Sequence, residues 1–324
     1  MADPLSVLVV TNSYPTDSTP GDTPCIRDQV LALQARGIQL DVLVINRRRK
    51  RSYIKAAVAV LKLMTGPRRY DLIHAYYGHC GLLARLQVRY PLVITFRGSD
   101  LLNRREARWG RLVARWASAV VVMSEEMKRA SGRPDAFVIP FGVNTDNFHP
   151  APPEQARAEL GLAAHQKLIL FPWDPARPEK RFDLVQSAVA RLKPAWGEIS
   201  IITICNIPHT DVARYMNACD ALVLASDYEG APMAIREAIA CGLPVVSVDV
   251  GDVAAIIRGC DGCFLCERTV EDLADKLSLV LARGQRLDAS RPIPSASASA
   301  DALITVYQHV LTLRAESASE RFHP

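Results

Sequence analysis

The chain alternates short apolar runs, many of them β-branched, with longer segments of helical periodicity. The runs that predict buried strands are SVLVV, QLDVLVI, DLIHAY, PLVITF, AVVVMS and AFVIPF in the first half and KLILFP, ISIITI, ALVLAS, PVVSVDV and, most weakly, CFLC in the second. Helices are predicted between them at CIRDQVLALQARG, RWGRLVARWAS, KRFDLVQSAVARL, TDVARYMNACD and VEDLADKLSLVLARG. Strands that are apolar throughout and alternate with helices are typical of parallel sheets covered on both faces.

This alternation pauses once, at residues 144–161, NTDNFHPAPPEQARAELG. Its proline cluster is typical of a linker between domains. We therefore expect an α/β protein with two domains, residues 1–148 and residues 149–324. One further helix is predicted at about 301–315, which can pack back on the N-terminal domain.

The composition agrees with a soluble globular protein of two ordinary domains. The 324 residues are 49% hydrophobic and 23% charged, and no apolar run reaches the roughly 18 residues that a membrane span needs. The N-terminus has no cationic leader before its apolar run, so we expect a cytoplasmic protein.

The eight cysteines fit a reducing compartment. Cys260, Cys263 and Cys266 have metal-ligand spacing, but no fourth ligand follows, so buried thiols are favoured.

Charge is distributed unevenly along the chain. Residues 1–150 hold 22 Lys and Arg against 12 Asp and Glu, and the remainder holds 17 against 22. A cationic run, Arg47–Arg51, precedes a short amphipathic helix that carries Val58, Leu61 and Leu63. This pattern suits an anionic membrane surface or a lipid-linked acceptor, and a solvated surface helix is the alternative. Nucleic acid is not expected as a partner, since aromatic residues are not interleaved with the cations.

The segment 227–246, DYEGAPMAIREAIACGLPVV, carries the strongest chemical signal. It places Glu229 on a loop after a buried strand and Glu237 inside the following helix, which starts near Pro232. In open α/β sheets ligands bind outside the carboxyl ends of the strands, and a helix N-terminus favours an anion such as a diphosphate. Two carboxylates flanking such an anion site are the polar groups that a sugar nucleotide needs. The alternative is a pair of ordinary helix-start and surface glutamates.

The same segment, extended to EGAPMAIREAIACGLPVVSVDVGD, resembles the signature of the retaining GT-B glycosyltransferases of family GT4. Further ordered similarities are SYPTDSTPGDTPCIRDQVLALQARGIQLDVLV, TFRGSDLL, VVVMSEEMKRA, VIPFGVNTDNFHP and PARPEKRFDLVQSA. Several ordered matches are more specific than any single motif. The resemblance implies a GT-B fold of two Rossmann-like parallel-sheet domains facing a central cleft, with the acceptor bound by the first domain and the nucleotide-sugar donor by the second.

The resemblance also implies roles for donor-site residues. Glu237 would hold the ribose hydroxyls and Glu229 would contact the transferred sugar. Lys180 and Arg177 would neutralise the leaving diphosphate in place of a divalent ion, so no metal and no cofactor are expected. Arg177 lies three positions before Lys180, whereas the family's arginine usually lies five positions before. The donor sugar and diphosphate would lie against the backbone of Gly230, Ala231, Pro232, Met233 and Ala234. Gly21, in the loop after the first strand, would also contact phosphate.

Acceptor and cleft residues are expected in the first domain. Arg97 replaces the histidine usual in the stretch that includes Asp100, and a guanidinium cannot act as a general base. Arg97 could hold phosphate or an acidic acceptor. His74 and His79 are candidates for lining the cleft, with a structural histidine as the alternative for each. The segment from Glu198 to Asp211 is short for the base-binding region of this family.

The function that follows from the resemblance is a retaining hexosyltransferase of the EC 2.4 class. It would move a hexose from a nucleotide-diphosphate sugar to a cell-surface polysaccharide or glycolipid, at the inner face of the membrane or in the cytoplasm. A catalytically silent nucleotide-sugar-binding or scaffold subunit is one alternative. A sugar-nucleotide epimerase or a phosphorylase on the same architecture is another.

Overall fold

The computed structural model describes residues 4–47, 49–288 and 293–319, and its internal contacts divide the chain into two compact units. Unit 1 comprises the described residues of Met1–Pro15, Asp22–Gly142 and Ala296–Pro324, and unit 2 comprises those of Thr16–Gly21 and Val143–Ser295. The division therefore falls before Val143, earlier than the expected boundary after residue 148. The reason is packing, because Val143 and Phe148 are both buried in the core of unit 2.

Unit 1 is built on a six-stranded sheet in the order β2-β1-β3-β4-β5-β6, and every strand pair is parallel. Its strands are β1 Ser6–Thr11, β2 Gln39–Val44, β3 Leu72–Tyr76, β4 Leu92–Thr95, β5 Ala119–Val122 and β6 Phe137–Val138. The connecting helices are α1 Pro24–Gln34, α2 Lys50–Lys62, α3 Gly78–Ala84, α4 Ser99–Leu102, α5 Ala107–Trp116 and α6 Glu125–Ser131. The central strands β3, β4 and β5 are buried along their whole length, as the apolar runs predict.

Unit 2 has a five-stranded parallel sheet in the order β11-β10-β9-β7-β8. Its strands are β7 Lys167–Phe171, β8 Ile199–Thr203, β9 Ala221–Leu224, β10 Val245–Val248 and β11 Phe264–Cys266. Its helices are α7 Pro153–Leu160, α8 Phe182–Trp196, α9 His209–Ala218, α10 Met233–Ala240, α11 Val253–Ile257 and α12 Val270–Arg283, with a 3₁₀ turn at Pro178–Lys180. The predicted pair of parallel-sheet α/β domains is confirmed.

The last helix, α13 Ala296–Ser319, follows unit 2 in sequence but packs within unit 1. Polar bonds inside unit 1 fix its position: Gln29 Nε2 donates to Ser299 Oγ at 3.0 Å, and Tyr307 Oη lies 2.6 Å from His74 Nδ1. Tyr307 is fully buried. The helix begins earlier and ends later than the range of about 301–315 expected from its apolar periodicity.

The cysteine triad sits at the edge of the unit 2 core. Cys266 is buried in that core, and Cys260 and Cys263 pack against it. Cys205, in contrast, is exposed. Within the part of the chain that the structure describes, no helix is both long enough and apolar enough to cross a bilayer.

Candidate active site

The loop after β9 and the helix α10 that follows it hold both candidate glutamates. Glu229 lies on the loop, and its Oε1 accepts hydrogen bonds from Ser226 Oγ at 2.8 Å and from Lys180 Nζ at 2.5 Å. The two charged side chains are only 15% and 6% exposed. This ion pair is therefore largely shielded from water, where the attraction between the charges is stronger than at the surface.

Lys180 reaches Glu229 from the 3₁₀ turn Pro178–Lys180. Its ammonium nitrogen lies 4.9 Å from the centroid of the Trp173 ring, a distance at which a cation is attracted to the ring face. The two loops are also joined through their backbones, because Asp227 N donates to Glu179 O at 2.9 Å. The structure thus brings the predicted lysine and the predicted sugar-contacting glutamate together.

Arg177 is not brought to this pair. Its Nε and Nη2 donate to Glu179 Oε1 at 2.8 and 2.6 Å, and its side chain is 52% exposed. An arginine three residues before the lysine starts on the outer side of the turn, and the adjacent carboxylate holds it there. A catalytic role for Arg177 stays a prediction that requires this surface ion pair to open.

Glu237 is buried one turn inside α10, and its partner is a histidine that sequence reasoning missed. His209 Nε2 lies 2.9 Å from Glu237 Oε1, and both side chains are less than 10% exposed. The imidazole ring also packs on Phe148, with the ring centroids 4.7 Å apart. His209 is the first residue of α9, in the segment that is short for a base-binding region. The only signal was a histidine at a predicted helix start.

The N-terminus of α10 presents backbone donors between the two glutamates. Pro232 caps the helix and its carbonyl accepts from Ile235 N at 3.2 Å. Within the described residues, the amides of Met233 and Ala234 have no backbone acceptor, as is usual for the first turn of a helix. These amides and the positive end of the helix dipole favour an anion at this position.

A glycine that carried no assigned role shapes the loop. Gly251 follows β10 with φ +60°, and a Cβ atom there would lie 2.7 Å from Gly230 O and 3.1 Å from Glu229 O. Both the left-handed backbone and the close approach require glycine. Beside it, Asp252 forms a buried ion pair with Arg236 of α10. The residues after β10 therefore support the loop that carries Glu229.

Gly21 lies in the segment Thr16–Gly21, which belongs to unit 2 by its contacts. A Cβ atom at this position would lie 3.2 Å from Asn206 Cα. The structure thus supplies a packing reason for a small residue here. The predicted contact of Gly21 with phosphate stays a prediction.

The candidate residues of unit 1 have different surroundings from one another. His74 is fully buried in β3, with Nδ1 bonded to Tyr307 and Nε2 2.7 Å from Thr95 Oγ1. Burial lowers the pKa of His74 to about 3. The structure favours the alternative of a structural histidine, because the ring is fully buried and its two nitrogens have partners on α13 and β4. His79, at the start of α3, is exposed.

Asp100 is buried and holds the turn at the end of β4. Its carboxylate accepts from the backbone N of Arg97 at 3.0 and 3.3 Å and from Gly98 N at 3.0 Å. Burial raises the pKa of Asp100, and these amide bonds oppose the rise. Asp100 therefore shapes the backbone from which the Arg97 side chain projects, and its carboxylate oxygens are already in use.

Comparisons with known proteins identify the family of the chain. Residues 5–147 match the model of Glycosyltransferase Family 4, and residues 177–283 match that of Glycosyl transferases group 1. A relative from Bacillus subtilis, provisionally named teichuronic acid biosynthesis glycosyltransferase TuaC, is 24% identical across 85% of this chain and 88% of its own. The D-inositol 3-phosphate glycosyltransferase of Geodermatophilus obscurus is 26% identical across 72% of this chain, which spans 64% of that protein.

The fold has a close match among solved structures. Anabaena HepE, crystallised with UDP and glucose, superposes with a TM-score of 0.64 and 17% identity, covering 98% of this chain and all of the other. Two family models match successive parts of the chain, residues 5–147 and residues 177–283. The two parallel-sheet units are of the GT-B type. The chain belongs to the family 4, or group 1, glycosyltransferases.

Proposed function

We propose that the protein transfers a hexose, with retention of configuration and without a metal, from a nucleotide-diphosphate sugar to a cell-surface polysaccharide or glycolipid. The observation that carries this proposal is the arrangement around α10. A shielded Lys180–Glu229 pair precedes the helix, free amides stand at its N-terminus, and Glu237 is held one turn inside it. HepE was crystallised with UDP and glucose, and the TuaC name refers to teichuronic acid biosynthesis.

In the proposed donor complex the diphosphate takes the position between Lys180 and the first amides of α10. Lys180 then exchanges its carboxylate partner for phosphate oxygens, which leaves Glu229 to accept hydrogen bonds from hydroxyls of the sugar. Glu237 accepts from the ribose hydroxyls. Fixed positive groups at the leaving oxygen stabilise the charge that grows there during transfer, which is the task a divalent ion performs in other enzymes.

The proposed chemical step is a front-face substitution. The bond between the anomeric carbon and the diphosphate oxygen breaks, and a bond from the acceptor oxygen to the same carbon forms on the same face. The proton of the acceptor hydroxyl passes to the departing phosphate oxygen. A glycosidase-like double displacement would need a carboxylate nucleophile at the anomeric carbon. In this proposal Glu229 accepts from sugar hydroxyls and Glu237 holds the ribose, so neither carboxylate is assigned to attack the anomeric carbon.

The first test is nucleotide binding. We expect one of UDP, GDP, ADP, CMP and dTDP to raise the melting temperature of the wild type with and without magnesium, and not that of Glu237→Ala. A ligand at about 100 times its dissociation constant adds about 2.7 kcal/mol of stability. Glu271→Ala is the matched control, since Glu271 is an exposed helical glutamate. A wild type that responds to none of these nucleotides would favour the catalytically silent scaffold subunit instead.

We further propose that α2 brings unit 1 to an anionic membrane surface. Ile54, Val58 and Leu61 lie at helical spacing along α2 and are 65%, 47% and 48% exposed. The cationic run Arg47–Arg51 precedes them, although Arg48 lies outside the described residues. Basic and apolar groups on one exposed helix suit the interface of an anionic bilayer.

Flotation with phosphatidylserine-containing vesicles tests this proposal. The wild type should float with the vesicles at low salt. A double variant that carries Ile54→Glu and Val58→Glu should not. Leu279→Glu is the control, since Leu279 is a similarly exposed apolar residue of α12 in unit 2. Equal flotation of the α2 variant would refute the membrane role of this helix.

A further inference from the structure

Arg97 in unit 1 is a largely buried cation that has no anionic partner among the residues the structure describes. Its guanidinium lies beside two aromatic rings, with Cζ 5.5 Å from the Tyr77 centroid and 4.9 Å from the Phe141 centroid. The Cys25 thiol also contacts it, but a thiol is only a weak acceptor. Nη1 is buried, and no described residue of the chain provides a hydrogen-bond acceptor within its reach. A guanidinium stays protonated in proteins, so it cannot relieve its burial by losing the charge.

The nearest carboxylate in sequence does not serve as the partner. Asp100 directs its oxygens to the backbone amides of Arg97 and Gly98, and no ion pair joins it to Arg97 within the described residues. Buried charges are normally paired, because leaving one unpaired is costly. An unpaired donor held rigidly between two rings is the arrangement expected of a ligand-binding group.

Strained backbone surrounds the same position. Tyr77 has φ 71° and ψ 146°, and Thr23 has φ 54°, both outside the regions that residues with side chains usually adopt. A chain of hydroxyls lies at the same place. Ser13 Oγ lies 2.6 Å from Thr23 Oγ1, which lies 3.5 Å from Tyr77 Oη. Strain that persists in a folded protein tends to occur at functional sites.

These groups share one edge of the unit 1 sheet. Ser13 follows β1, Tyr77 follows β3 and Arg97 follows β4, and the three strands are parallel neighbours. Their carboxyl ends therefore meet at one edge, where open α/β sheets bind ligands. We propose that Arg97, with the hydroxyls of Thr23 and Tyr77, binds a phosphate or carboxylate group of a substrate. That the ligand is a substrate rests on the proposed transferase function.

The chemistry of the ligand follows from the donors. A guanidinium presents N–H groups in a planar fork that matches two oxygens of a carboxylate or phosphate. Tyr77, whose ring lies against the guanidinium, and Thr23, which is within 3.5 Å of the Tyr77 hydroxyl, add hydroxyl donors. The anionic group can belong to the acceptor or to the transferred sugar, as in a uronic acid, and a comparison of two donor sugars separates these sources.

The test compares Arg97→Met and Arg97→Lys with the wild type in thermal unfolding, with inorganic phosphate added at constant ionic strength. Arg97→Met removes the charge and keeps an apolar chain between the rings. We expect it to unfold at a higher temperature than the wild type without phosphate, and to bind phosphate at least about tenfold more weakly. Arg97→Lys should retain part of the response. Arg104→Met, at an exposed arginine, is the control.

Two donors then distinguish the source of the anion. If it belongs to the sugar, the wild type binds UDP-glucuronate more tightly than UDP-glucose and Arg97→Met abolishes the preference. If it belongs to the acceptor, neither protein distinguishes the two donors, and phosphate still binds through Arg97. A phosphate response that survives in Arg97→Met, or a melting temperature lowered by that change, overturns the proposal. A phosphate response through Arg97 without any nucleotide binding would preserve this site and reject the transferase.

Discussion

The candidate sites of the two units hold their charged groups differently. In unit 2 the charged groups of the candidate site are paired: Lys180 with Glu229, Glu237 with His209, and Arg236 with Asp252. In unit 1 Arg97 has a buried nitrogen that no described residue partners, while His74 is buried and its pKa is lowered by burial to about 3. A paired site must exchange partners when its ligand binds, whereas an unpaired cation gains its first partner. Ligand binding should therefore stabilise unit 1 through Arg97 more directly than it stabilises unit 2 through Lys180.

Removal of Lys180 should have the largest effect. We expect Lys180→Met to lower the turnover number about 10²–10³-fold, because a fixed cation no longer stabilises the leaving diphosphate. It should also cost about 3 kcal/mol of folding stability, because Glu229 is left shielded without a cation. Steady-state kinetics and urea unfolding measure the two effects.

The double variant Lys180→Met with Glu229→Gln separates them. It should recover much of the stability and none of the turnover. Lys193→Met, at an exposed lysine of α8, is the control. Normal turnover in Lys180→Met would show that the buried pair of unit 2 has only a structural role.

Gly251→Ala should have the next largest effect, because its Cβ atom would collide with the backbone of Glu229 and Gly230. We expect a loss of about 2–3 kcal/mol of stability and weaker nucleotide binding, since the loop must shift. Gly259→Ala is a matched control: its φ is +68°, and no atom lies within 4 Å of the position that an added Cβ would take. Gly259→Ala should cost only about 1 kcal/mol, the usual penalty of a left-handed backbone. Equal losses in the two variants would refute the support role of Gly251.

The pH dependence of stability sharpens the contrast for unit 1. The pKa of His74 is lowered from 6.5 to about 3 on folding, so below pH 6.5 the unfolded chain binds a proton that the folded chain does not. The stability contributed by neutral His74 is complete above pH 6.5 and falls by about 1.4 kcal/mol per pH unit towards pH 3. Urea unfolding between pH 7 and pH 5 measures this slope. His74→Gln should flatten it, and His79→Gln, at an exposed histidine, should leave it unchanged.

The smallest effect concerns how His209 positions Glu237. We expect His209→Ala to weaken binding of the nucleotide that stabilises the wild type about tenfold, the value of one charge-assisted hydrogen bond. The preference for that nucleotide over its 2′-deoxy form should shrink as well, because Glu237 is no longer held in position to bind the ribose hydroxyls. His209→Gln, which restores a donor to Glu237, should recover part of both. His165→Ala is the exposed control. An unchanged ribose preference in His209→Ala would make the histidine merely a packing residue.

Much of the fold was accessible from the sequence because apolar runs are local signals. All eleven predicted strands form, and the glutamate pair lies on a loop and helix start, as the Gly and Pro punctuation of DYEGAPMAIREAIACG predicts. Local patterns could not reveal the roles of three residues, because their partners are distant in sequence. His209 contacts Glu237, Gly251 lies against Gly230, and Asp252 pairs with Arg236. Local patterns also left the role of His74 open. Its partners Thr95 and Tyr307 come from a neighbouring strand and from the last helix.

The sequence alone determined the α/β class and the parallel character of both sheets, because these depend on the periodicity of residues along the chain. It also determined the family, because the family is identified by motifs in a fixed order. Only the tertiary structure decided which charges are paired. It joined Lys180 to Glu229, turned Arg177 towards Glu179 and left a buried nitrogen of Arg97 without a partner among the described residues. The physical reason is that burial and pairing depend on the distances between side chains from separate elements, and these distances are established when the elements pack.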